Sequence, residues 1–154
     1  DELFSKALQH THKNDIVENK EIIAMLNATY LNAVDEEFNS NSEEVFIVGI
    51  YLPKYDEKKR SDYLGNLYSL TLNEVGPSSI KELNKEHKMS GKLPLHNPWA
   101  KYYLVRFSKE KLNIKFQEDF TTYQKYNNLR YETINLKLTN SLVGSTAISF
   151  QKAI

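Results

Sequence analysis

Eight consecutive residues, Val45-Phe-Ile-Val-Gly-Ile-Tyr-Leu52, carry no charged or strongly polar side chain. The run is far shorter than the ~18–20 apolar residues a membrane helix needs, and Pro53 ends it. It has the length of a β-strand. A strand apolar on both faces must be covered on both faces, because side chains alternate across the sheet. The chain is therefore expected to wrap other elements around residues 45–52.

The other extended segments alternate. Tyr68, Leu70 and Leu72 are interleaved with Ser69 and Thr71, and Ile134, Leu136 and Leu138 with Asn135, Lys137 and Thr139. Leu112, Ile114 and Phe116 repeat with the cleanest period of two, interleaved with Asn113, Lys115 and Gln117. Tyr102–Phe107 carries aromatics on both faces, and Ile148 and Phe150 point one way along residues 146–152. Such segments read as half-buried strands. The segment from Glu21 to Val34 fits either a helix or a strand, and a strand is preferred over residues 24–34 because of Thr29-Tyr30. Leu3, Phe4, Ala7 and Leu8 start a short helix over residues 2–10, and the stretch from His10 to Asp15 reads as a polar break. Ser79-Ile-Lys-Glu82 matches a capping box and predicts a second short helix, from about Ile80 to His87.

About seven strands with one or two short helices, and no strand–helix–strand rhythm, predict an antiparallel β-sandwich. The strand number suggests an immunoglobulin-like arrangement first and an open barrel second. The expected organisation is an N-terminal helical and polar extension over 1–20, followed by a single sandwich domain over 21–154. A chain of 154 residues suits one domain and hides roughly two-thirds of its unfolded surface without staples.

Composition excludes several chemistries. There is no cysteine, hence no disulfide, no thiol nucleophile and no cysteine-ligated zinc. Twenty basic and twenty acidic residues balance, which argues against a nucleic-acid partner. The balance is uneven along the chain: net −7 over residues 1–50, +2 over 51–100 and +5 over 101–154. The simplest consequence is that the acidic first third packs beside the basic last third; a dipolar surface that orients a partner is the alternative.

The carboxylate pairs Asp35-Glu36-Glu37, Glu43-Glu44 and Glu118-Asp119 lie in polar runs, where nothing is expected to bury them and raise a pKa for acid catalysis. His10 and His12 have spacing a metal could use, but no further clustered histidine supports them. Lys54, Lys58, Lys59 and Arg60 are interrupted by Asp56 and Glu57 and read as a solvated loop. Asn27-Ala-Thr29 is a formal glycosylation sequon within an apolar segment, where it is expected to be inert. No catalytic, cofactor-binding or metal-binding residue is assigned.

What remains is aromatic. The single tryptophan, Trp99, follows His96-Asn97-Pro98 and precedes Tyr102-Tyr103, where it either plugs one end of the sandwich or borders a ligand groove. Tyr55 and Tyr63 flank the loop after Pro53, and Tyr123 and Tyr126 sit in a polar stretch. Tyrosine supplies contact area at low entropic cost, so Tyr123, Tyr126, Trp99, Tyr55 and Tyr63 are the expected partner-binding residues. The expected function is a non-enzymatic protein-interaction or structural module of the bacterial cell envelope, acting on a protein partner or on itself. The alternative is a small-ligand carrier or hydrolase with a groove near His96, Trp99 and Tyr102. A periplasmic or extracellular location is expected, with a tether through a removed lipidated leader, and the cytoplasm is the alternative.

Overall fold

A computed structural model describes residues 2–39, 42–54, 63–65, 67–84, 97–120 and 133–152. Among them lie helix α1 (Glu2–Gln9) and strands β1 (Thr11–Glu18), β2 (Glu21–Tyr30), β3 (Glu43–Tyr51), β4 (Tyr68–Leu72), β5 (Ser79–Leu83) and β6 (Lys101–Ser108). Helix α2 (Lys109–Phe120) follows, then β7 (Thr133–Asn140) and β8 (Gly144–Gln151). The strands form two antiparallel sheets, one in the order β1-β2-β3-β6-β5 and one in the order β4-β7-β8. The fold is a β-sandwich. Its order differs from the ABED/CFG division of an immunoglobulin domain, since three successive strands here lie side by side in one sheet. No helix of the described residues is long and apolar enough to cross a membrane.

The unbroken apolar run forms β3, the middle strand of the larger sheet. Phe46, Val48 and Ile50 point inward and meet Leu70, Leu72, Leu136, Leu138 and Phe150 of the smaller sheet. Val45 and Ile47 point outward into a second core, built with Ala7 of α1 and with Leu31, Val34 and Phe38. Two short 3-10 helical turns, Leu31–Ala33 and Glu36–Phe38, carry those last residues across the outer face. Asn32 ties this cover down: its Nδ2 donates to the Glu43 carbonyl at 2.8 Å, and its Oδ1 accepts from Val45 N–H at 2.7 Å.

Three segments depart from their sequence pattern. Residues 10–15 are not a break: they lead into β1, which pairs with β2 from Glu21 to Thr29 across one bulge and leans on β8, where Asn14 Nδ2 donates to the Ala147 carbonyl at 2.9 Å. Asn19 and Lys20 form the turn between β1 and β2, and both have positive φ there, as a two-residue hairpin requires. Ser79–Leu83 is an edge strand, not a capped helix. A two-turn helix is marginal alone, whereas the ladder against β6, from Ser79↔Arg106 to Leu83↔Tyr102, satisfies the backbone at once.

Finally, residues 109–120 form α2 and not a strand. Leu112 and Phe116 are spaced by four and therefore share a helix face. Leu112 is 1% exposed and Phe116 packs against the inner core, while Ile114 is 52% exposed. Ser108 Oγ accepts from Lys111 N–H at 3.2 Å, an N-cap that starts the helix where β6 ends.

The charge division along the chain becomes contact. Glu43 pairs with Arg106 at 3.2 Å and Glu44 with Lys152 at 2.9 Å, first third against last third. Glu44 overturns the expectation that its pair is solvated: it is fully buried, and Tyr30 Oη donates to its Oε1 at 2.7 Å.

Candidate functional site

On the outer face of the larger sheet the cover formed by α1 and the 3-10 turns is incomplete. Two transverse rows of side chains are left. One runs Lys13–Asn27–Gly49–Tyr102 across β1, β2, β3 and β6; the next runs Asp15–Met25–Tyr51 across β1, β2 and β3. Leu8 of α1 stands at one side and Asn97 at the other, and together they enclose a depression of about 400 Å³.

Glycine at position 49 shapes the floor. A Cβ there would fall 2.5 Å from Tyr102 Cε1 and 2.6 Å from Asn27 Nδ2, inside any permitted contact. The missing side chain lets the Tyr102 ring and the Asn27 carboxamide come together over the sheet. Tyr102 is held from its far end, where its Oη accepts from Asn97 N–H at 3.1 Å. Asn97 Oδ1 in turn accepts from Trp99 N–H at 2.9 Å, an Asx turn that fixes the backbone leading to Trp99. At the other side, Thr11 Oγ1 donates to the Ala7 carbonyl and lies 2.7 Å from Thr29 Oγ1, fixing the end of α1 to the sheet.

The walls are thus pinned, while other polar groups are unspent. Among the described residues, the side chains of Lys13, Asp15, Asn27 and Tyr51 make no hydrogen bond or ion pair. The backbone beneath them is consumed by the strand ladders, so these side chains are the polar groups on offer.

The expected site residues divide. Tyr102 lines the depression. Trp99 is 71% exposed and is not among the lining residues, so it does not plug the end of the sandwich. Tyr63 is no surface residue: it is 6% exposed, packed in the inner core, with Lys101 Nζ 5.0 Å from its ring centroid. Tyr55, Tyr123, Tyr126 and His96 lie outside the described residues, as do Lys58, Lys59 and Arg60. The His12 ring packs against Phe150, centroids 5.1 Å apart, and no group of three His, Asp or Glu side chains among the described residues could hold a metal.

The sequence marks Asn27 only as a sequon and Gly49 only as one position of an apolar run, and neither as part of a site. Their signal was present: each interrupts a strand that is otherwise strongly apolar, and an interruption of that kind calls for a packing or functional reason. It went unread because only the sheet register shows the two interruptions to be neighbours. No protein-family model matches the chain, and no curated protein or solved structure is similar enough to it to match.

Proposed function

We propose that this chain is a non-enzymatic recognition module of the bacterial cell envelope, docking its partner in the depression on the outer face of the larger sheet. The observation that carries this reading is the pair of cross-strand rows. Four polar side chains there have no partner among the described residues, and they lie on a paired sheet beside a wall, Tyr102 and Asn97, that a hydrogen bond holds in place. Unspent donors and acceptors on a rigid frame suit non-covalent recognition, because little ordering entropy is lost when a partner arrives. Trp99, two residues from Asn97 in the wall and 71% exposed, offers apolar contact area of the kind that anchors interfaces.

The test is a photocrosslinking residue placed at Met25, in the second row, and a control placed at Lys137, on the far face of the smaller sheet. In the native cell, position 25 should trap a macromolecular partner in the envelope fraction and position 137 should not. Equal trapping from both positions, or none from position 25, refutes the docking reading; recovery of the chain in the cytosol refutes the location.

A carrier of a small ligand is the second reading, favoured by the concavity and by the presence of Tyr102 and Asn97 in its wall. It requires a small molecule to accompany the protein purified from its source, detectable by native mass spectrometry.

A further inference from the structure

The depression also restricts the chemistry of what it can hold. Lys13 and Asp15 lie two residues apart on the same face of β1, so their charges offset and the floor selects neither an anion nor a cation. Asn27 and Tyr51 each carry a donor and an acceptor, and neither is used among the described residues. A hydroxyl, which donates and accepts at one oxygen, can satisfy both, as an amide can, whereas a carboxylate only accepts and an ammonium only donates. Between these polar groups lie Leu8, Met25 and the rings of Tyr51 and Tyr102, which offer apolar contact to a ligand with C–H faces.

A polypeptide fits less well. Strand addition, which grips an extended peptide by its main chain, needs an open sheet edge, and here the site is a sheet face with its backbone groups already paired. A volume of about 400 Å³ is of the size that small-molecule sites occupy, roughly 300–1,000 Å³. We infer that the depression binds a neutral saccharide, with the Asn27 carboxamide and the Tyr51 hydroxyl bonding its hydroxyl groups and the Tyr102 side of the wall packing its ring. This inference rests on the docking reading and names the partner of that same site.

The experiment is a printed array of neutral and anionic oligosaccharides probed with the full chain. It is followed by amide-detected NMR titration of any retained neutral oligosaccharide into wild type, Asn27→Ala and Tyr51→Phe. At least one neutral oligosaccharide should be retained, and it should shift the amide signals of Lys13, Asn27, Tyr51 and Asn97. Each variant should bind it about tenfold more weakly, the loss of one well-made hydrogen bond to a ligand. Tyr51→Phe removes a single oxygen, so it tests the site even if Asn27→Ala perturbs the strand. Retention of anionic glycans alone, or binding that both variants leave unchanged, overturns the inference. An empty array with a protein trapped at position 25 overturns the saccharide and leaves docking intact. An empty array with nothing trapped overturns both.

Discussion

Replacing Lys152 by alanine removes one partner of a buried ion pair, and the structure sets the expected cost. Glu44 has no solvent exposure, and its Oε2 lies 2.9 Å from Lys152 Nζ while its Oε1 accepts from Tyr30 Oη. Breaking such a pair from one side typically costs about 3–5 kcal/mol, because the remaining charge is stranded away from water. The Lys152 side chain is itself 22% exposed, so water can reach part of the gap, and the expectation is the lower end, about 3 kcal/mol. For a domain of this length each kcal/mol shifts Tm by about 2–4 °C, so thermal unfolding followed by circular dichroism should show a fall of about 6–12 °C. Glu44→Gln should cost less, because the amide oxygen can still accept from Tyr30 and the freed ammonium can turn toward solvent. The double variant should then lose clearly less than the two single losses added together, the mark of direct coupling. Strict additivity, or a Lys152→Ala protein within about 1 kcal/mol of wild type, would show that Glu44 does not depend on this partner.

Three further outcomes follow from the packing. Leu112→Ala should cost about 2–5 kcal/mol in urea unfolding and Ile114→Ala under about 0.5 kcal/mol, since only Leu112 faces the core of these two helix positions; similar losses would mean that residues 109–120 are extended after all. Gly49→Ala should destabilise by about 1–3 kcal/mol and change the near-ultraviolet circular dichroism of the aromatics, because Tyr102 and Asn27 must both give way; an unchanged spectrum and Tm would contradict the close contacts at the floor. Lys20→Gly should stabilise by up to about 1 kcal/mol by relieving the left-handed backbone of the β1–β2 turn, and an equal-sized loss of stability would show that the side chain matters more than the backbone there.

Most strands were legible because each face of a strand has one destination. Residues 68–72 and 134–138 alternate and are half-buried; residues 45–52 do not alternate, and β3 divides its side chains between two cores. Where the pattern misled, local signals were compatible with two answers. Leu112, Ile114 and Phe116 satisfy a period of two, yet Leu112 and Phe116 are also four apart, and a run of good helix formers behind an N-capping serine tips the balance. Ser79–Glu82 has the letters of a capping box, but an open edge on β6 offered its backbone a better set of hydrogen bonds. Glu44 read as solvated because its neighbours Ser42 and Glu43 are polar; its burial depends on Tyr30 and Lys152, which sequence distance hides.

The residues alone determined that this chain stacks β-layers, that the segment 45–52 lies covered at their centre, and that the acidic first third must either meet the basic last third or leave a dipolar surface. Those properties follow from alternation, length and charge, which act over a few neighbouring positions or over the chain as a whole. Only the tertiary structure decided that Asn27, Gly49 and Tyr102 stand in one row, that Tyr63 is buried while Trp99 is exposed, and that the described residues cover the outer face of the larger sheet only in part. The reason is register: a shift of one residue between strands sends every side chain to the opposite face, and register is set by the whole set of packed strands and not by any one of them.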